Sequence, residues 1–225
     1  MNENVFTVEA RALAVRFFDR PIFQDLHLTV AAGSTVALTG RSGEGKTTLL
    51  HVLAGLLEPT EGSVKIHGKD PYAMSETDAS TFRLRNLGFV FQSADLVPEL
   101  TLQENVALPS LLAGGKRKPA MAAALELLSE MGIDDDTARR KPVQVSGGQQ
   151  QRCAIARAVS TSPQVIFADE PTGALDAETT QAVLDLLLDK VRTLGTTLIV
   201  VTHDADVAGA MDRQLELREG TLYEC

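Results

Sequence analysis

The sequence predicts an α/β fold in which a mostly parallel core sheet is preceded by an antiparallel N-terminal β segment and interrupted by a helical insertion. Three observations carry that reading. Thr35–Thr39 is a short apolar strand that runs into a glycine-rich turn and then a leucine-spaced helical stretch over 46–57. Two later runs, 164–168 and 196–201, are almost purely apolar and β-branched or aromatic, the pattern of strands buried on both faces of a parallel sheet. More than a hundred residues separate the first of these strands from the second, and they include an alanine- and leucine-rich helical stretch over 119–131.

Taken in order, residues 5–30 alternate apolar and polar side chains with a break at 18–21, as antiparallel strands joined by a turn do. The three parallel strands then end in polar residues: the loop after Thr39, Asp169-Glu170, and Thr202-His203-Asp204. Ligands bind at the carboxyl ends of strands in open α/β sheets, so the chemistry is expected on one edge. The stretch of about 92–160 reads as a helical insertion, with Gly114–Lys118 as a loose linker inside it, and no internal repeat is present.

At 225 residues the chain is long enough to bury a substantial core. Its net charge of −9 gives no broad attraction to phosphate backbones, which argues against a nucleic-acid binder. Two cysteines, Cys153 and Cys225, lie in no metal-ligand spacing and read as free thiols of a reducing compartment. No run approaches the roughly 20 apolar residues that span a bilayer, so the chain itself is expected in the cytoplasm.

Gly40-Arg41-Ser42-Gly43-Glu44-Gly45-Lys46-Thr47 matches the phosphate-binding pattern G-x-x-x-x-G-K-[ST] in the required context, after a strand and before a helix. The glycines let backbone N–H groups curl around phosphate oxygens, the helix start adds its positive end, Lys46 supplies charge, and the Thr47 hydroxyl suits magnesium. Glu44 is an uncomfortable neighbour for a triphosphate, so its side chain must turn away or nucleotide affinity falls. The strand ending in Asp169-Glu170 supplies the second half of such a site, with Asp169 toward the metal and Glu170 placed as general base. Ser146-Gly147-Gly148-Gln149 opens a helical run. As S-x-x-Q it is a capping box, which accounts for Ser146 and Gln149 but leaves the two glycines unexplained except by close approach to a phosphate.

In order and spacing, Gly40 to Thr47, Val90-Phe91-Gln92, Val145 to Gln149, Phe167 to Glu170, Ala174-Leu175-Asp176 and His203 resemble the nucleotide-binding domain of ABC transporters over essentially the whole chain. The resemblance implies a P-loop ATPase in which residues 1–225 form one ABC domain. About 1–91 and 161–225 would be the catalytic core with its β subdomain, and about 92–160 the helical subdomain. ATP would be cradled by Gly40 to Thr47 with Thr48. Magnesium would be held by Thr47, Gln92 and Asp169. Lys46, Gln92, Glu170 and His203 would act in catalysis, with Gln92 also sensing the membrane partner and His203 contacting the γ-phosphate. Ser146 to Gln149 would cap the ATP of a second copy in a homodimer, and Asp176 would tie the two sites together. Phe17 would stack on adenine, although the family usually has Tyr-Gly where this chain has Phe17-Phe18, and either ring could serve or lie in the core. Val145 stands where the family has leucine.

Residues 87–92, 96–101 and 104–109 further resemble the ATPases of the MacB/LolD type. That resemblance implies a separate membrane permease at the cytoplasmic face of the inner membrane, energised for export or extraction of a lipoprotein, peptide, drug or haem. The alternative is an FtsE-like regulatory ATPase with an FtsX-like partner, which moves no substrate. The sequence contains no Asn-Lys-x-Asp guanine-reading motif, zinc cysteines or coiled coil, which removes GTPases and the soluble repair and translation ATPases.

Overall fold

The computed structural model describes residues 6–18, 20–173, 175 and 177–225, without the side chains of 177 and 178. In chain order the elements are β1 (Phe6–Phe17), β2 (Arg20–Ala31), β3 (Thr35–Thr39), α1 (Lys46–Leu53), β4 (Glu61–Ile66), α2 (Glu76–Asn86), β5 (Leu87–Val90), α3 (Leu102–Leu112) and α4 (Arg117–Glu130). There follow α5 (Asp135–Ala138), α6 (Gly147–Val159), β6 (Val165–Asp169), α7 (Ala177–Leu194), β7 (Thr197–Val201), α8 (Ala205–Gly209), β8 (Arg213–Arg218) and β9 (Thr221–Glu224). They fall into two compact units, one made of the chain up to Arg83 together with Gly195–Cys225, the other of Leu84–Leu194.

In the first unit β1 lies between β2 and β4, antiparallel to both, with Val8 opposite Val30 on one side and Ile66 on the other. The break expected at 18–21 falls between β1 and β2, and their alternation buries Leu13, Val15, Phe23, Leu26 and Leu28. A bulge interrupts the pattern at Ala12, whose φ is +50°. The same unit carries β3 between β7 and β8, parallel to both, and β9 antiparallel to β8. Glu219 and Gly220, with φ of +50° and +78°, make the tight β8–β9 turn, a pair of positive angles that fits the twist of a two-residue hairpin.

The helix after the glycine-rich turn is shorter than its leucine spacing suggests. It ends at Leu53, because Gly55 adopts φ +70° and the amides of Leu56 and Leu57 turn back onto the His51 carbonyl. Burial of Leu49, Leu50, Val52 and Leu53 against the sheet fixes this helix, each side chain contributing about 2 kcal/mol.

In the second unit β5 and β6 are parallel, Val90 opposite Ala168. Phe89 stacks on Phe91 and Phe167. Helices α3, α4 and α6 pack together, and α6 approaches β5 so closely that a Cβ on Gly88 would lie 2.4 Å from the Ala158 carbonyl oxygen. The fully buried Asn105 takes the Val97 amide at 2.7 Å and donates to the carbonyls of Val97 and Thr101, which folds the 97–101 segment onto α3. A Thr101–Glu104 capping box starts that helix. Among the described residues no helix is long and apolar enough to cross a membrane.

Candidate nucleotide site

The first unit brings the glycine-rich loop and His203 to one edge. Because β3 and β7 are parallel with Leu38 opposite Val201, the carboxyl ends of both strands open on the same side, and the Thr202 amide bonds the Leu38 carbonyl at 3.2 Å. The loop begins where β3 stops. Gly45 adopts φ +97°, and a Cβ there would lie 2.3 Å from the Ile22 side chain, so β2 presses the loop into the shape from which α1 starts. Lys46 is almost fully buried, and its ammonium donates to the carbonyls of Gly40 and Arg41, both at 2.8 Å. A charge held by two neutral acceptors inside its own loop can exchange them for phosphate oxygens when a triphosphate arrives.

Glu44 turns back into the loop rather than outward into solvent: its carboxylate accepts the Arg41 amide at 2.8 Å. Phe17 is half exposed and Phe18 fully so, the latter at φ +54°. Both border an open cavity of about 890 Å³ with Arg20, Pro21, Ile22 and Gly43. The cavity therefore joins the aromatic pair to the phosphate loop. At the end of β7, His203 is exposed between the buried Thr202 and Asp204, whose side chain caps α8.

The second unit assembles the acidic half. The register of β5 and β6 places Phe91-Gln92 and Asp169-Glu170 at the same carboxyl edge. Glu170 has φ +46°, a left-handed angle uncommon for a side chain of its size, and the Gly173 amide returns to its carbonyl at 3.0 Å. Gln92 lies against this turn, since a Cβ on Gly173 would be 3.0 Å from its side-chain nitrogen.

Ser146 caps α6 as expected. Its hydroxyl accepts the Gln149 amide, and the Gln149 side chain accepts the Ser146 amide at 3.0 Å. The two glycines behave differently. A Cβ on Gly148 would meet the Thr179 methyl at 2.7 Å, whereas a Cβ on Gly147 would meet no atom of the described residues within 4 Å. Packing explains Gly148; no contact among the described residues explains Gly147. Asp176 lies outside the described residues.

Three residues that touch the candidate site residues or their loops are not singled out by the sequence. Ile22 reads as one more apolar strand residue, yet it shapes the phosphate loop. Gln151 and Arg157 read as the polar side of α6. The signal available for Arg157 was its position between Ala156 and Ala158, a cation within an otherwise apolar run.

A phosphate loop at the end of one strand, a carboxylate pair at the end of another and a serine-capped glycine pair on a separate helix define an ATP-binding cassette. The family model described as ABC transporter matches residues 23–173, and the chain belongs to that family; it is an ATP-binding, ATP-hydrolysing cassette of an ABC transporter. Within the family it is similar to the lipoprotein-releasing system ATP-binding protein LolD. The LolD of Xanthomonas campestris pv. campestris is 46% identical over 91% of this chain and 85% of its own, and that of Oleidesulfovibrio alaskensis is 46% identical over 90% and 87%. Among solved structures, a dimeric ATP-binding cassette in a post-hydrolysis state bound to ADP and Pi superposes with a TM-score of 0.89 at 34% identity, covering 97% of both chains. A further dimeric bacterial ABC transporter cassette gives 0.88 at 35% identity. The mostly parallel core sheet, the antiparallel N-terminal sheet and the helical insertion are thus those of the ABC ATPase fold.

Proposed function

We propose that two copies of this chain bind two ATP molecules between them and use their closure to drive a separate MacB-like permease that extracts lipoproteins, as the name of its LolD relatives suggests. The observation that carries the shared site is Gly147: a glycine at the start of a 13-residue helix, unexplained by packing among the described residues, in a fold shared with two solved cassettes that are dimers. In this reading the chain lies at the cytoplasmic face of the inner membrane and is held there by the permease. Residues of about 92–160 act as the helical subdomain that meets it, and the remainder acts as catalytic core.

Lys46 and the amides of Gly43 to Thr48 hold the β- and γ-phosphates of one ATP, and Phe17 receives its adenine. The amides from Gly147 onward, with Ser146 and Gln149, close on the ATP of the partner subunit, and Asp176 connects the two sites. Among the described residues no cluster of three or more His, Cys, Asp or Glu side chains is arranged to hold a metal by itself. Thr47, Gln92 and Asp169 offer a hydroxyl, an amide and a carboxylate oxygen, the hard donors that would hold a magnesium ion. The ion supplies neutralisation of phosphate charge. Glu170 accepts a proton from the attacking water as the water oxygen bonds to the γ-phosphorus and the bond from that phosphorus to the β–γ bridging oxygen breaks, leaving ADP and phosphate, and His203 contacts the γ-phosphate.

Glu170→Gln tests the scheme. The variant keeps the size and hydrogen bonding of the side chain and loses the base, so it should bind ATP, stay closed and elute as a dimer in ATP and a monomer without it. A variant that remains monomeric at saturating ATP refutes the shared site.

A further inference from the structure

The mechanism above uses α6 only at its first turn, but two side chains further along it hold the Gln92 loop. Gln151, almost fully buried, donates its side-chain amide to the Phe91 carbonyl at 3.1 Å. Arg157 forks onto the other side, donating to the Ala94 carbonyl at 2.8 Å and to the Asp95 carbonyl at 2.6 Å. The acceptors therefore straddle Gln92 and Ser93. Between the anchors Gln92 and Ser93 form a tight turn, closed by the Ala94 amide on the Phe91 carbonyl at 3.1 Å, so α6 grips both ends of the turn that carries Gln92.

The loop would not keep this path by itself. Ala94 and Asp95 are consecutive non-glycine residues with φ of +61° and +46°, a conformation that persists only where surroundings over-determine it. The Arg157 fork supplies that determination by satisfying both carbonyls where the chain turns. Its guanidinium is substantially buried, and desolvation lowers its pKa from the ordinary value. A buried cation with two carbonyl acceptors is costly to strip of its partners.

We infer that Gln151 and Arg157 are positioning residues that fix Gln92 against the Glu170–Gly173 turn and tie its placement to α6. The helix that would offer Ser146 and Gly147 to the partner's ATP is then the same helix that holds the Gln92 loop. A displacement of α6 at one site is felt by the metal-reading glutamine at the other. This inference rests on the reading of Gln92 as a magnesium ligand.

The experiment compares Arg157→Met, Arg157→Lys and Gln151→Met with Gln92→Ala in full-length protein. Two quantities are measured: hydrogen exchange of the 91–96 segment without nucleotide, and the gain in ATP affinity on adding Mg²⁺, in a Glu170→Gln background. Arg157→Met should speed exchange in that segment and cut the Mg²⁺-dependent gain about ten-fold, the usual loss when a partner of a metal ligand is removed, while Mg²⁺-free affinity stays within about two-fold. Arg157→Lys should fall between, and Gln92→Ala should show the same loss without further change when combined with Arg157→Met. Gln151→Met gives an independent route should Arg157→Met fail to fold. A native Mg²⁺ gain in Arg157→Met, or an effect that adds to that of Gln92→Ala, overturns the positioning role. If Gln92→Ala alone leaves the Mg²⁺ gain intact, the metal role of Gln92 fails and the inference falls with it.

Discussion

Alanine at each of the two signature glycines separates packing from catalysis within one turn of helix. At Gly148 the added methyl would sit 2.7 Å from the Thr179 methyl, well inside the 3.5–4.0 Å of ordinary carbon contact. Thr179 is only half-buried and can shift, so the cost falls near the low end for overpacking, about 1 kcal/mol, or roughly 2–4 °C in Tm for a chain of this size. At Gly147 the methyl meets no atom of the described residues, and the position carries no positive φ. Replacing a glycine at the start of α6 should then stabilise the fold by about 0.5 kcal/mol, raising Tm by about 1–2 °C, through the smaller entropy of the unfolded chain. Its effect on turnover should run the other way. A methyl projecting about 1.5 Å into the space reserved for a phosphate displaces the partner's ATP from the helix amides, and misplacement on that scale, or loss of one such donor, costs about 100-fold in kcat. The assay is steady-state ATP hydrolysis at several protein concentrations beside a thermal melt. A Gly147→Ala protein that is both as stable and as active as the parent refutes the shared site. One that is destabilised refutes the packing argument.

Glu44→Gln keeps an acceptor for the Arg41 amide and removes only the charge beside the phosphate loop, so ATP should bind about two- to five-fold tighter, with a smaller gain for ADP; unchanged affinity in a fluorescent-nucleotide titration would mean the carboxylate is not felt by the phosphates. Cys153 is buried against the Leu102 carbonyl and desolvation pushes its thiol up to about 12, whereas Cys225 is exposed; a thiol reagent at pH 8 should consume one equivalent at once and the second only on unfolding, and two fast equivalents would contradict the burial. The Thr101 amide holds the Glu104 carboxyl below the ordinary glutamate value, and the Thr137 amide does the same for Asp134. Both folded-state values are depressed, so the stabilisation is fully present above the unfolded pKa values near 4 and is lost as pH falls through the folded ones. Amide exchange at Thr101 and Thr137, whose N–H groups the two carboxylates accept, should therefore be flat between about pH 8 and 5, after correction for intrinsic rates, and lose protection below about pH 4; protection that persists at pH 2 would show that the caps do not depend on the carboxylates.

Where one residue type had a single physical use, the sequence was readable. The phosphate loop announces itself because only glycines fit its backbone, and a following Lys-Thr has no packing reason to be there. The acidic strand end announces itself because buried β-branched runs do not otherwise close on Asp169-Glu170. Legibility failed where a residue's neighbour is distant in the chain. The β8–β9 hairpin has the alternation of Leu215 and Leu217 but short strands, and its partner β3 lies some 180 residues earlier. Asn105, part of the stretch that marks the subfamily, is buried for a local reason visible only in space, four hydrogen bonds to the segment before α3.

The sequence by itself determined the family, the fold class and the candidates for phosphate and water chemistry, because these depend on residue type and on spacing along the chain. Only the tertiary structure decided which of two adjacent glycines is held by packing, where the Glu44 carboxylate goes, and which side chains of α6 grip the Gln92 loop. Those outcomes depend on distances between segments up to about sixty residues apart, and a hydrogen bond that is worth its energy only within about 3 Å leaves no periodic trace in the sequence.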